Sequence, residues 1–222
     1  MSYFKYLKKN LLFVSSFALF LTGSLSLSML PTHSEVEVRQ KKYNFSVSPL
    51  PVITTVESYP YFSAQSIYAV DLDSSVVLYE KNPDEKVYPA STAKIVTALV
   101  AMDNYQLEDI LNTGQFKTIG QKMGLVWYEN ISFENLLYGL LIHSGNDAAE
   151  VLALNYANGR EGFVSAMNAK AKELNANNTN FKNPSGLDDF DQYTTARDLV
   201  NIAQVAMKNP QFAWAYLIIT GC

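Results

Sequence analysis

Only one stretch of this chain reads as paired β-strands, and almost everything after it reads at helical period. Ile67–Leu72 and Val76–Tyr79 are rich in β-branched, aliphatic and aromatic residues, and Asp73-Ser74-Ser75 between them is turn chemistry. From Ser91 onward Ile95, Val96, Leu99, Val100 and Met102 form an apolar helical stripe. Ser132 is placed to cap a helix through Leu136–Ile142. Further helices are expected from Asp147 to Asn158-Gly159, from Glu161 to Leu174, and from Thr194 or Thr195 to Lys208 before Asn209-Pro210. Asn175–Asn178 and Asn183-Pro184-Ser185-Gly186 read as loops. A hairpin of two strands cannot build a sheet core alone, so a helical lobe must cover it.

The N-terminus is set apart from this body. Lys5, Lys8 and Lys9 precede an uncharged stretch, Leu11–Leu30, the pattern of an export signal. At about 1.5 Å rise per residue its length also suits a membrane anchor. Residues 31–65, with Pro31, Pro49, Pro51 and Pro60 among polar residues, read as an extracytoplasmic spacer. The expected organisation is a signal peptide or anchor over 1–30, the spacer over 31–65, and a folded domain over 66–222.

Composition excludes several chemistries. Past residue 30, 14 basic residues face 21 acidic ones, a balance unsuited to a nucleic-acid partner. The single cysteine, Cys222, permits no disulfide framework within one chain. Two histidines, His33 and His143, are too few for a usual zinc hydrolase site, so no metal or cofactor is expected. There is no G-x-S-x-G elbow either, which weakens any Ser-His-Asp reading.

Serine and lysine offer another route. Ser91 and Lys94 stand three residues apart at a helix start, so both face one side, with Ser91 in the positive field of the helix N-terminus. Lys94 lies among Ala93, Ile95 and Val96, where desolvation lowers an amine pKa and frees a neutral base. A serine needs such a base to become a nucleophile. S-x-x-K is also frequent by chance, and Ser91 as a simple cap with Lys94 reaching solvent is the alternative reading.

The surrounding residues bear on that choice. Pro89-Ala90-Ser91-Thr92-Ala93-Lys94 resembles the first motif of the serine D,D-peptidases, the low-molecular-mass penicillin-binding proteins. Ser144-Gly145-Asn146, within Leu140–Ala149, resembles their second motif in its S-G-N form. Phe181–Leu187 and Tyr193–Leu199 also look like that family, and the similarity runs from about residue 66 to 212.

The resemblance implies an α+β, β-lactamase/D,D-peptidase-like fold. An N-terminal β-hairpin and a mostly helical lobe would be present, and the later strands of the antiparallel sheet missing. It implies a D-alanyl-D-alanine carboxypeptidase acting on peptidoglycan pentapeptides, with β-lactam antibiotics as covalent inhibitors. Ser91 would be acylated, Lys94 would take its proton, and Ser144 would relay a proton to the departing D-alanine. Asn146 would contact the substrate amide and steady Lys94, with Gly145 beside it in the substrate-binding turn. His143 is expected to pack beside the loop.

The family's third motif, K-T-G on a later strand, is absent. Thr220-Gly221-Cys222, preceded by Ile219, ends these 222 residues. In the family that strand carries one oxyanion-hole donor, whose loss costs about 10²–10³ in rate. The chain is therefore expected to be a C-terminally truncated and impaired form. A class A β-lactamase is a weaker match: Gly145 stands where S-D-N has its acid, and Glu161 and Glu173 fall in helical patterns. A non-catalytic wall-binding remnant is the other alternative.

Overall fold

The computed structural model describes residues 62–220. The export segment and most of the spacer lie outside the described residues. The hairpin forms as expected: β1 (Ile67–Val70) pairs antiparallel with β2 (Val77–Lys81), with Ile67 opposite Lys81 and an irregularity between Ala69 and Val70. Asp71 builds the turn, its Oδ1 accepting from the Ser74 N–H at 2.8 Å. Arg197 ties the hairpin to the lobe through an ion pair with Glu80 (3.5 Å) and its place over the Tyr68 ring, and it also pairs with Asp84 just past the hairpin (2.8 Å).

The chain enters the lobe through a single 3₁₀ turn, Ala90–Ala93, and continues as α1 (Lys94–Asn104). Ser91 therefore sits in a 3₁₀ turn ahead of the α-helix and caps nothing with its side chain. The tight turn follows from the approach of another segment: a Cβ on Gly186 would lie 1.8 Å from the Ala90 carbonyl oxygen. The 183–187 loop thus presses backbone to backbone on the residue before Ser91.

The core lies around α1. Val96, Thr97, Ala98, Leu99, Val100 and Ala101 are all buried, which exceeds one amphipathic stripe. A helix apolar on every side is one covered on every side. α2 (Phe133–Leu141), α3 (Asn146–Leu154), α4 (Gly159–Glu173) and α5 (Ala196–Ala206) all pack on it. Phe133, Leu136, Leu137, Leu140, Leu152, Phe163, Met167 and Ile202 fill the space between, each at most 1% exposed. Burying a side chain of this size contributes about 1.5–3 kcal/mol.

Local chemistry fixes the helix ends. Ser132 caps α2 by accepting from the Asn135 N–H, and Thr195 caps α5 by accepting from the Asp198 N–H at 3.1 Å. α3 stops at Leu154, short of the expected Asn158, because Asn158 and Gly159 both adopt positive φ and turn the chain into α4. Pro210 does not end the helical lobe. It opens α6 (Pro210–Thr220), whose first amides, those of Gln211 and Phe212, donate to Asn209 Oδ1. Proline is well suited to a first helical position, where its missing N–H costs nothing.

Two short strands, β3 (Ile110–Asn112) and β4 (Asn130–Ser132), pair antiparallel as a second small sheet. They escape a sequence reading because three residues carry too little pattern. The connection between them, 113–129, is cross-tied by Thr113 Oγ1 to the Val126 carbonyl at 2.7 Å and by the Tyr128 N–H to the Gly114 carbonyl at 3.0 Å. Among the described residues the strands form two separate two-stranded sheets, consistent with an α+β fold whose larger sheet is partial.

Candidate active site

Ser91 is exposed at the rim of a cavity of about 480 Å³, and Lys94 and Ser144 line the same space. Apolar residues make up most of the remaining wall, among them Ile95, Leu140, Leu141, Met207 and Phe212. An apolar cleft with a few convergent polar groups is what small-molecule and peptide sites share.

Lys94 is the most constrained of these groups. It is 3% exposed, yet its ammonium nitrogen reaches Ser91 Oγ at 3.2 Å and the Ser185 carbonyl at 2.7 Å. Burial lowers its pKa from the ordinary lysine value to about 8, because the charged form loses its hydration. A neutral amine has two N–H groups and one lone pair. With one N–H on the Ser185 carbonyl, the lone pair is free to accept the Ser91 proton.

The Ser185 carbonyl is itself held by buried groups. Asn183 Oδ1 accepts from Ser185 Oγ (3.1 Å) and from the Gly186 N–H (2.8 Å). Gln192 Oε1 accepts from the Lys182 and Asn183 amides, and Thr97 Oγ1 donates to the Pro184 carbonyl at 2.6 Å. Gly186 is at φ +83°, a region that excludes most side chains. The sequence reading singled out 181–187 as family-like but assigned no role to Ser185. Only the fold brings it onto Lys94, 91 residues away.

The second motif is placed by α3. Gly145 precedes the helix, and a Cβ there would meet Asp147 Oδ1 at 2.9 Å and the Gly139 carbonyl at 3.1 Å. That crowding explains a glycine between Ser144 and Asn146. Asn146 is 4% exposed and donates from Nδ2 to the Ile119 carbonyl at 2.7 Å. Among the described residues no hydrogen bond joins Asn146 or Ser144 to Lys94, whose second partner is the Ser185 carbonyl instead. His143 is exposed.

Two residues of the site carry backbone strain that no sequence pattern announces. Ala90, just before Ser91, is at φ +47°, and Ser144 is at φ +53°. Non-glycine residues in this region are uncommon and persist where surrounding contacts over-determine them. The Gly186 contact supplies this at Ala90.

Comparison with known proteins shows the family and the fold. The family model described as D-alanyl-D-alanine carboxypeptidase matches residues 53–217. The carboxypeptidase DacF of Bacillus subtilis is 36% identical over 152 residues, covering 65% of this chain and 39% of DacF. DacB2 of Mycobacterium tuberculosis is 40% identical over 158 residues, covering 68% of this chain and 53% of DacB2. A D-alanyl-D-alanine carboxypeptidase structure from Mycobacterium tuberculosis superposes with TM-score 0.66 at 38% identity, over 70% of this chain and 60% of that one. DacD from Francisella tularensis gives 0.68 at 31% identity, over 77% and 42%. The chain spans about half the length, or less, of these curated relatives. Its fold is that of the D,D-peptidases, and the chain belongs to the D-alanyl-D-alanine carboxypeptidase family.

Proposed function

We propose that this chain is a serine-type D-Ala-D-Ala carboxypeptidase of peptidoglycan stem peptides, working through an acyl-enzyme on Ser91. The observation that carries the reading is a buried lysine amine 3.2 Å from an exposed serine hydroxyl at the rim of a cleft. Lys94 takes the Ser91 proton as Oγ attacks the carbonyl carbon of the penultimate D-alanine. The C–N bond to the terminal D-alanine breaks, and Ser144 delivers a proton to the departing amine. Water then hydrolyses the ester and frees Ser91. Gly145 and Asn146 form the substrate-facing turn, with Asn146 on the substrate amide. A β-lactam enters by the same attack and is held as a stable ester. No metal or cofactor takes part in these steps.

The substrate places the reaction outside the cytoplasmic membrane. Residues 1–30 serve in this reading as an export signal or anchor, and 31–65 as the spacer that holds the 66–222 domain off the membrane. Among the described residues no helix is long and apolar enough to cross a membrane.

The test is labelling with a fluorescent penicillin. Ester formation that vanishes in Ser91→Ala supports the reading. Rapid turnover of the penicillin indicates a β-lactamase. Absence of any ester after long incubation, with retention on peptidoglycan that survives Ser91→Ala, overturns it in favour of a wall-binding protein.

A further inference from the structure

Asp147 follows the S-G-N turn and is 1% exposed, yet among the described residues it has no cationic partner. Its carboxylate is saturated by backbone amides. Oδ1 accepts from Met123 (2.9 Å) and Ala148 (3.0 Å), and Oδ2 accepts from Gly124 (2.9 Å) and Leu125 (3.1 Å). Three of these donors belong to the 113–129 connection, more than twenty residues away in sequence. Burial alone would raise the carboxyl pKa. The amides of Met123, Leu125, Gly124 and Ala148 together outweigh it and hold the group below its ordinary value.

The same connection grips the residue beside Asp147. The Asn146 N–H donates to the Gln121 carbonyl at 2.8 Å, and its side-chain amide donates to the Ile119 carbonyl at 2.7 Å. Only Lys122 separates the segment that holds Asn146 from the segment that Asp147 holds. Gly120 lies inside it at φ +77°, where a Cβ would come 2.9 Å from Asn146 Nδ2. Loop and turn are thus closed into one unit by five cross-connections.

We infer that Asp147 is a positioning residue, clamping the 119–125 loop so that the loop in turn fixes Asn146 for the reaction at Ser91. This rests on the carboxypeptidase reading above. An acceptor with four donors has a specific chemical requirement. Asparagine in its place turns one acceptor oxygen into an NH₂ that faces two N–H groups, which leaves buried donors unpaired. The helix N-terminus also favours the charged form at this position.

The experiment uses the full 222-residue chain as wild type, Asp147→Asn and Gly120→Ala, with the exposed Asp103→Asn as control. Two quantities are measured: backbone amide hydrogen exchange at Met123, Gly124, Leu125 and Asn146, and the penicillin acylation rate constant per titratable site. In Asp147→Asn the exchange at Asn146 and the loop amides should quicken at least tenfold. The acylation rate constant should fall at least tenfold, while the fraction of molecules finally labelled stays unchanged. That split separates positioning from a simple loss of folded protein.

Gly120→Ala leaves Asp147 intact but strains the loop against Asn146, and should lower the rate constant in the same way. It decides the matter if Asp147→Asn fails to fold. Unaltered exchange at Asn146 overturns the inference, as does faster exchange with an unaltered rate constant. If the wild type never labels, the carboxypeptidase reading has failed; exchange at Asn146 then decides alone whether Asp147 holds the turn.

Discussion

Acylation of Ser91 should climb with pH in a way set by Lys94 alone. The amine is 3% exposed, and its hydrogen-bond partners, Ser91 Oγ and the Ser185 carbonyl, are both uncharged. Among the described residues no carboxylate is bonded to it, and burial lowers its pKa to about 8. At pH 7 about a tenth of molecules then carry the neutral base, against roughly three in ten thousand for an ordinary lysine. The gain in free base is about 300-fold. Between pH 6 and 7 the acylation rate constant should rise about tenfold, between 7 and 8 about fivefold, and between 8 and 9 less than about twofold. The assay is the initial rate of fluorescent-penicillin ester formation at each pH, read on denaturing gels. Lys94→Arg stays protonated throughout and should lose at least about 10² in rate at pH 8. A flat profile from pH 6 to 9 would refute the role of Lys94 as base. So would a tenfold rise per pH unit that persists to pH 10, which is how a solvent-exposed lysine behaves.

Four further outcomes are expected. Because the folded pKa of Lys94 lies below its unfolded value, the unfolded chain binds more protons between pH 8 and 10.5, and urea-unfolding stability should increase with pH across that window. Asp147 acts in the same direction at lower pH: its folded pKa is also depressed, so its contribution is present above the unfolded carboxyl pKa of about 4 and is lost as pH falls through the folded value, which acid titration of tertiary circular dichroism can follow. Gly186→Ala places a methyl against the Ala90 carbonyl at positive φ and should cost about 2–4 kcal/mol, seen as a lower urea midpoint together with slower acylation. Thr97→Val removes the donor to the Pro184 carbonyl and should cost about 1–2 kcal/mol in the same measurement, with the core otherwise unchanged in volume.

How much was readable beforehand differs between elements. The hairpin was legible because β-branched and aromatic runs flank a turn sequence that has one sensible geometry. Ser132 was legible as a cap, and Thr195 as one of two candidates with Thr194, because capping is a local hydrogen bond within three residues. β3 and β4 were not, since each is three residues long and stable only through its partner. α5 ends before Asn209-Pro210 as expected, but that Pro210 also opens a helix was not legible, because a start there needs a surface for the following segment to pack on, and α6 packs on α2.

For the site, Ser91 and Lys94 needed no structure to be paired, because three residues on a helical turn are neighbours by geometry. Their motifs also sufficed to recognise the family. The environment that makes Lys94 a base was a different matter. Its burial, the Ser185 carbonyl on its nitrogen, the strained Ala90 pressed by Gly186, and the Asp147 clamp all involve segments more than 20 and up to 96 residues apart. Sequence spacing determines which groups can meet along one turn of backbone. Desolvation and long-range hydrogen bonds depend on which surfaces the whole chain brings together, and only the tertiary structure decides that.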